Sequence, residues 1–104
     1  MSVLMNFAMF PTDKGTSVSE YVSKIVKLIS ESGFDYKLTA MGTIIETETI
    51  EQALELVKKS YQLLENDSQR VYSTVSFDIQ TNKASGRIKA KVKSVEAKLL
   101  RNKI

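Results

Sequence analysis

Residues 35–47 read DYKLTAMGTIIET. Two short runs of strand-forming residues, Tyr36–Ala40 and Thr43–Thr47, flank Met41-Gly42, and a glycine between two such runs predicts a β-hairpin. Working outward on the N-terminal side, Val18, Tyr21, Val22, Ile25, Leu28 and Ile29 recur at helical spacing, with Gly33 as the stop. Ser17 and Glu20 ahead of them predict a capping box. Further out, residues 2–10 (SVLMNFAMF) are almost continuously apolar, which predicts a strand covered on both faces and ended by Pro11. On the C-terminal side, Thr49 and Gln52 predict a second capping box, followed by a stripe of Ile50, Ala53, Leu54, Val57, Tyr61 and Leu64. Residues 70–79 then alternate: Val71, Ser73, Val75, Phe77 and Ile79 form an apolar face against Tyr72, Thr74, Ser76 and Asp78. A last helix carries the narrow stripe Ile88, Val92, Val95 and Leu99 between lysines.

The hairpin thus sits between a strand–helix unit and a helix–strand unit, the doubling of a split β-α-β motif. The expected fold class is α+β: one domain over residues 1–104, a β-α-β-β-α-β sandwich with a four-stranded antiparallel sheet, two helices on one face and an extra C-terminal helix. Two helices cover only one sheet face, yet the first strand is apolar on both. The open face therefore needs a partner, and a homo-oligomer is expected; the alternative is a monomer whose C-terminal helix folds across it.

The 104 residues contain no cysteine, no histidine and no tryptophan, with 42% hydrophobic and 26% charged residues. That composition belongs to a soluble globule and removes thiol and imidazole catalysis and the usual zinc sites. A non-enzyme without metal or cofactor is expected. No apolar run is long enough to cross a membrane and no signal segment is evident, so a cytoplasmic location is the default. The net charge of +3 is uneven: residues 83–104 hold eight basic groups and one acidic, whereas residues 1–82 hold seven and eleven. Basic charge alone does not make a nucleic-acid module, and residues 70–79 lack the aromatic and glycine-rich signature of RNA-recognition sheets.

Among polar residues, Glu46 stands out as a carboxylate beside Ile44 and Ile45. It either points to water or receives partners; a buried carboxylate beside a tyrosine suits an amino-heterocycle or a cation. Asp78 shares its expected face with Tyr72, Thr74 and Ser76, which line a polar pocket or a solvated strand face. Thr43 and Glu46 differ in strand parity, so one ligand reaches both only across a bulge, a hairpin end or a subunit boundary.

The segments FAMFPTDKGTSVSEYV, YKLTAMGTIIE and KVKSVEAKL, in that order, resemble the small YkoF-like thiamine-binding proteins. The resemblance implies a ferredoxin-like fold, homo-oligomers that are commonly tetramers, and binding of thiamine or its hydroxymethylpyrimidine part without turnover. The matching positions are Pro11 and Ser17 in the first motif and Tyr36, Met41, Gly42, Thr43 and Glu46 in the second. On this reading Glu46, the Thr43 hydroxyl and backbone near Gly42 read the aminopyrimidine edge, and Tyr36, with Tyr72 behind it, faces the thiazolium charge. Asp78 completes the candidate ligand-binding set. The other reading is a structural or regulatory oligomeric module whose basic C-terminal helix contacts an acidic partner.

Overall fold

A computed structural model describes residues 1–102. Its elements follow the expected order: β1 (Ser2–Pro11), α1 (Ser19–Glu31), β2 (Asp35–Thr39), β3 (Gly42–Thr47), α2 (Ile50–Gln62), β4 (Val71–Gln80) and α3 (Arg87–Asn102). The four strands form one antiparallel sheet in the order β2-β3-β1-β4, the ferredoxin-like arrangement. β1 is central, with β3 on one side and all ten of its residues paired with β4 on the other.

Alternation along β1 divides the molecule. Val3, Met5, Phe7 and Met9 point to one face and pack, with Ile45, under Ile25 and Ile29 of α1 and Ala53 and Leu56 of α2. Burying these side chains, at about 1.5–3 kcal/mol each, is the main source of stability. The opposite face carries Leu4, Asn6, Glu46 and Asp78, and the start of α3 lies against it.

Three local expectations are corrected. The Ser17–Glu20 capping box does not form: Val18 is the N-cap of α1 and no side chain caps it, which leaves Ser17 exposed outside the helix. The Thr49–Gln52 box does form, with both reciprocal bonds present. The buried arc of α2 is Ala53, Leu56 and Ser60 rather than a stripe through Leu54 and Tyr61, which are 51% and 44% exposed. Ser60 enters the core because its hydroxyl donates to the Leu56 carbonyl at 2.7 Å, removing the penalty for a buried donor. Finally, Val75, Phe77 and Ile79 share the helix-covered side with Val3, Met5 and Phe7, yet stay 38–44% exposed, because β4 is an edge strand beyond the cover of α1 and α2.

Gly42 is required by close packing. A Cβ there meets the Phe7 carbonyl oxygen at 3.0 Å and Asn6 Oδ1 at 3.1 Å. Gly42→Ala is therefore expected to destabilise the fold by about 1–3 kcal/mol, measured by urea unfolding; an unchanged midpoint contradicts this packing.

Candidate functional site

The residues singled out by sequence fall into separate places. Met41, Gly42 and Thr43 line a cleft of about 300 Å³ between α1 and the β2–β3 hairpin, with Phe7, Met9 and Phe10 of β1, Val22, Ile25 and Val26 of α1, and Leu38 of β2. Pro11 and Ser17 do not line it, but their neighbours Phe10 and Val18 do. The cleft exists because α1 starts late: after Pro11 the chain loops away, and Asp13 ties that loop down by accepting the Gln69 N–H at 2.8 Å. That bond holds the Asp13 carboxyl below its ordinary value.

The walls of the cleft are apolar, and its polar groups are few. Thr39 Oγ1 closes the hairpin by donating to the Gly42 carbonyl at 2.8 Å and accepting the Met41 N–H at 3.3 Å. Thr43 is buried, and its hydroxyl makes no hydrogen bond among the described residues. An apolar slot with one free hydroxyl and hairpin backbone suits a flat, mostly apolar ring carrying a few donors and acceptors.

Glu46 lies on the other side of the sheet, as its parity requires. Its carboxylate, 5% exposed, accepts the Ser2 hydroxyl at 2.5 Å, the Gly86 N–H at 2.9 Å and the Arg87 N–H at 3.1 Å. Glu46 is therefore a tertiary cap for α3, satisfying N–H groups that a helix start leaves free. Arg87, also buried, donates from Nε to Ser2 Oγ at 2.9 Å and from Nη2 to the carbonyls of Ser2 and Asp78 at 2.8 and 2.7 Å. Its Nη1 faces Asp78 Oδ2 at 3.2 Å as an ion pair without hydrogen-bond alignment. Burial pushes the Glu46 pKa up, but the bonds from Ser2, Gly86 and Arg87 and the Arg87 charge outweigh it and hold the group below its ordinary 4.5. Asp78 also pairs with Lys91, and that hydrogen bond, with the charges of Lys91 and Arg87, lowers its pKa against a smaller opposing effect of burial.

Within one chain the candidate residues are thus divided between the two faces of the sheet, as strand parity requires. Thr43 and Glu46 open to opposite faces, and no one ligand touches both within a chain. Asp78 borders a second cleft, of about 340 Å³, beneath α3, with Leu4, Ile44, Lys37, Ile88 and Lys91. Tyr36 sits at the β2 edge and does not reach the α1–hairpin cleft; Tyr72 is half exposed and packs beside Phe10 with ring centroids 5.7 Å apart. Sequence reasoning missed Val22, Val26 and Leu38 as cleft walls, because apolar residues at helical and strand spacing read as core. It missed Ser2 and Arg87 because nothing local marks a polar pair whose members are 85 residues apart. Among the described residues no group of three or more Cys, His, Asp or Glu side chains is placed to hold a metal, and no helix is long and apolar enough to cross a membrane.

A family model described as thiamine-binding protein matches residues 5–96. A UPF0045 protein of Methanothermobacter thermautotrophicus is 33% identical over 85 residues, covering 81% of this chain and 85% of that relative. The crystal structure of a hypothetical protein from Methanocaldococcus jannaschii superposes with a TM-score of 0.81 at 28% identity, covering 91% of this chain and 96% of that one. The structure of a candidate thiamine biosynthesis/salvage protein from Thermotoga maritima gives a TM-score of 0.74 over 88% of this chain and 97% of its own. At 20% identity, this last likeness carries the fold alone.

The α3 anchor makes a pH prediction. A carboxylate held below its unfolded value contributes stability that is fully present above the unfolded pKa and is lost as pH falls through the folded one. Below pH 4.5 the wild type should therefore lose stability more steeply than Glu46→Gln, which itself should be about 1–3 kcal/mol less stable at neutral pH. Urea unfolding across pH 3–7 measures both; parallel curves rule out the anchor.

Proposed function

The chain belongs to the thiamine-binding protein family, and from that premise we propose that it is a cytoplasmic, non-catalytic binding protein, a single domain over residues 1–104, for thiamine or its hydroxymethylpyrimidine moiety, serving vitamin supply or sensing. The observation that carries this reading is the α1–hairpin cleft: it gathers Met41, Gly42 and Thr43 from one matching motif and the surroundings of Pro11 and Ser17 from the other. The pyrimidine ring lies between the aliphatic wall of α1 and Phe7, with the Thr43 hydroxyl and the hairpin backbone meeting its amino group and ring nitrogens. Phe10 and its neighbour Tyr72 supply an aromatic face to the thiazolium, an attraction of about 0.5–2 kcal/mol. Glu46, engaged by α3, acts on the ligand only through the shape of the sheet. Tyr36 and Asp78 lie outside the cleft and take part only if a second subunit brings them to it. A homo-oligomer, a tetramer in the resembling family, fits the exposed apolar residues of β4 and α3.

Isothermal titration with thiamine, its phosphates and hydroxymethylpyrimidine tests the reading. Saturable binding is expected, with Thr43→Val weakening it about tenfold through one lost hydrogen bond and Glu46→Gln changing it less than threefold. Absence of binding by every ligand, at a verified oligomeric state, overturns it.

A further inference from the structure

The cleft beneath α3 has no part in the reading above, and its chemistry differs from that of the α1–hairpin cleft. The two are similar in size, about 340 and 300 Å³, but no charged side chain lines the α1–hairpin cleft, whereas Lys37 and Lys91 stand at the cleft beneath α3 with Asp78 as its one acidic lining residue. Leu4 and Ile44 form its floor, and Ile88 and Val92 its roof. Strand register puts Lys37 beside Ile44, with the exposed polar side chains of Asn6 and Ser76 further along the same row of the sheet.

The charges around this cleft do not cancel. Glu46 is taken up by Ser2 and the first N–H groups of α3, and Asp78 Oδ2 is met by both Arg87 Nη1 and Lys91 Nζ. Lys37, on β2 at the opposite edge of the sheet from Asp78 on β4, has no acidic side chain within 4 Å among the described residues. A slot that is apolar above and below, with one uncompensated ammonium at its edge and an amide and a hydroxyl along its floor, matches a flat apolar body bearing a single acidic group. It does not match the thiazolium of thiamine, which would bring a positive charge to two lysines.

We propose that the cleft beneath α3 is a second binding site, for an aromatic monocarboxylate whose ring lies between the floor of Leu4 and Ile44 and the roof of Ile88 and Val92, and whose carboxylate pairs with Lys37. The site goes beyond the vitamin reading and stands independently of it, because the two clefts lie on opposite faces of the sheet and both can be filled at once.

Isoleucine methyl labelling tests it, because Ile44 and Ile88 line this cleft and Ile25 lines the other. Titration with 2-naphthoate should move the Ile44 and Ile88 resonances together to saturation while Ile25 stays in place, and the neutral 2-naphthamide should bind about tenfold more weakly, having lost the charged partner of Lys37. Lys37 is exposed on an edge strand, so Lys37→Gln keeps the fold; it should weaken 2-naphthoate by a similar factor and leave 2-naphthamide unchanged. Equal affinity for the two probes, an unaltered 2-naphthoate affinity in Lys37→Gln, a shift of Ile25 with Ile44 and Ile88 unmoved, or no saturable shift at all overturns the inference. None of these outcomes bears on the vitamin reading, which the thiamine titration decides separately.

Discussion

The Glu46 carboxylate, held between Ser2 and the first N–H groups of α3, sets where the third helix goes. A buried carboxylate without partners is expensive. With three donors around it and the Arg87 guanidinium beside it, the group becomes a fixed point joining β1, β3 and α3. Arg87 also reaches the Asp78 carbonyl, which ties β4 to the same point. The direction in which α3 leaves the sheet follows from this cluster, and so do the cleft beneath its first turns and the projection of its last ones.

Strand alternation does the rest. Because β1 is paired along both edges, its odd residues form the core under α1 and α2 while its even residues face α3. The same alternation carried into β3 puts Thr43 on the side of the α1 cleft and Glu46 on the side of α3. A small ligand in the α1–hairpin cleft and the α3 anchor are thereby independent, separated by the thickness of the sheet.

The fold was legible because its signals are local. The hairpin around Gly42, the Thr49 capping box and the ten-residue alternation of β4 each specify an element without tertiary information, and their order leaves one sheet topology. The resemblance to thiamine-binding proteins also held, since the family model covers residues 5–96. The Ser17 capping box failed because two cap-forming residues at the right spacing do not fix which residue leaves the loop. Of the candidate site residues, Met41, Gly42 and Thr43 meet in one cleft, whereas Glu46 and Asp78 lie on the other side of the sheet. Parity already separated Thr43 from Glu46 in the sequence. What occupied the Glu46 carboxylate was hidden, because Gly86 and Arg87 carry no local mark of a long-range cap. The edge exposure of β4 was equally hidden, since alternation shows which residues share a face and not whether a helix covers it.

The methionines give the most direct test of where a ligand sits. Of the four, Met9 and Met41 line the α1–hairpin cleft, Met5 borders the cleft under α3, and Met1 lies at the chain start. With methionine methyl groups labelled and thiamine titrated in, the Met9 and Met41 resonances should shift together and saturate at one ligand per chain while Met5 and Met1 stay in place. A saturable shift of Met5 with Met9 and Met41 unmoved contradicts the account and places the ligand beneath α3.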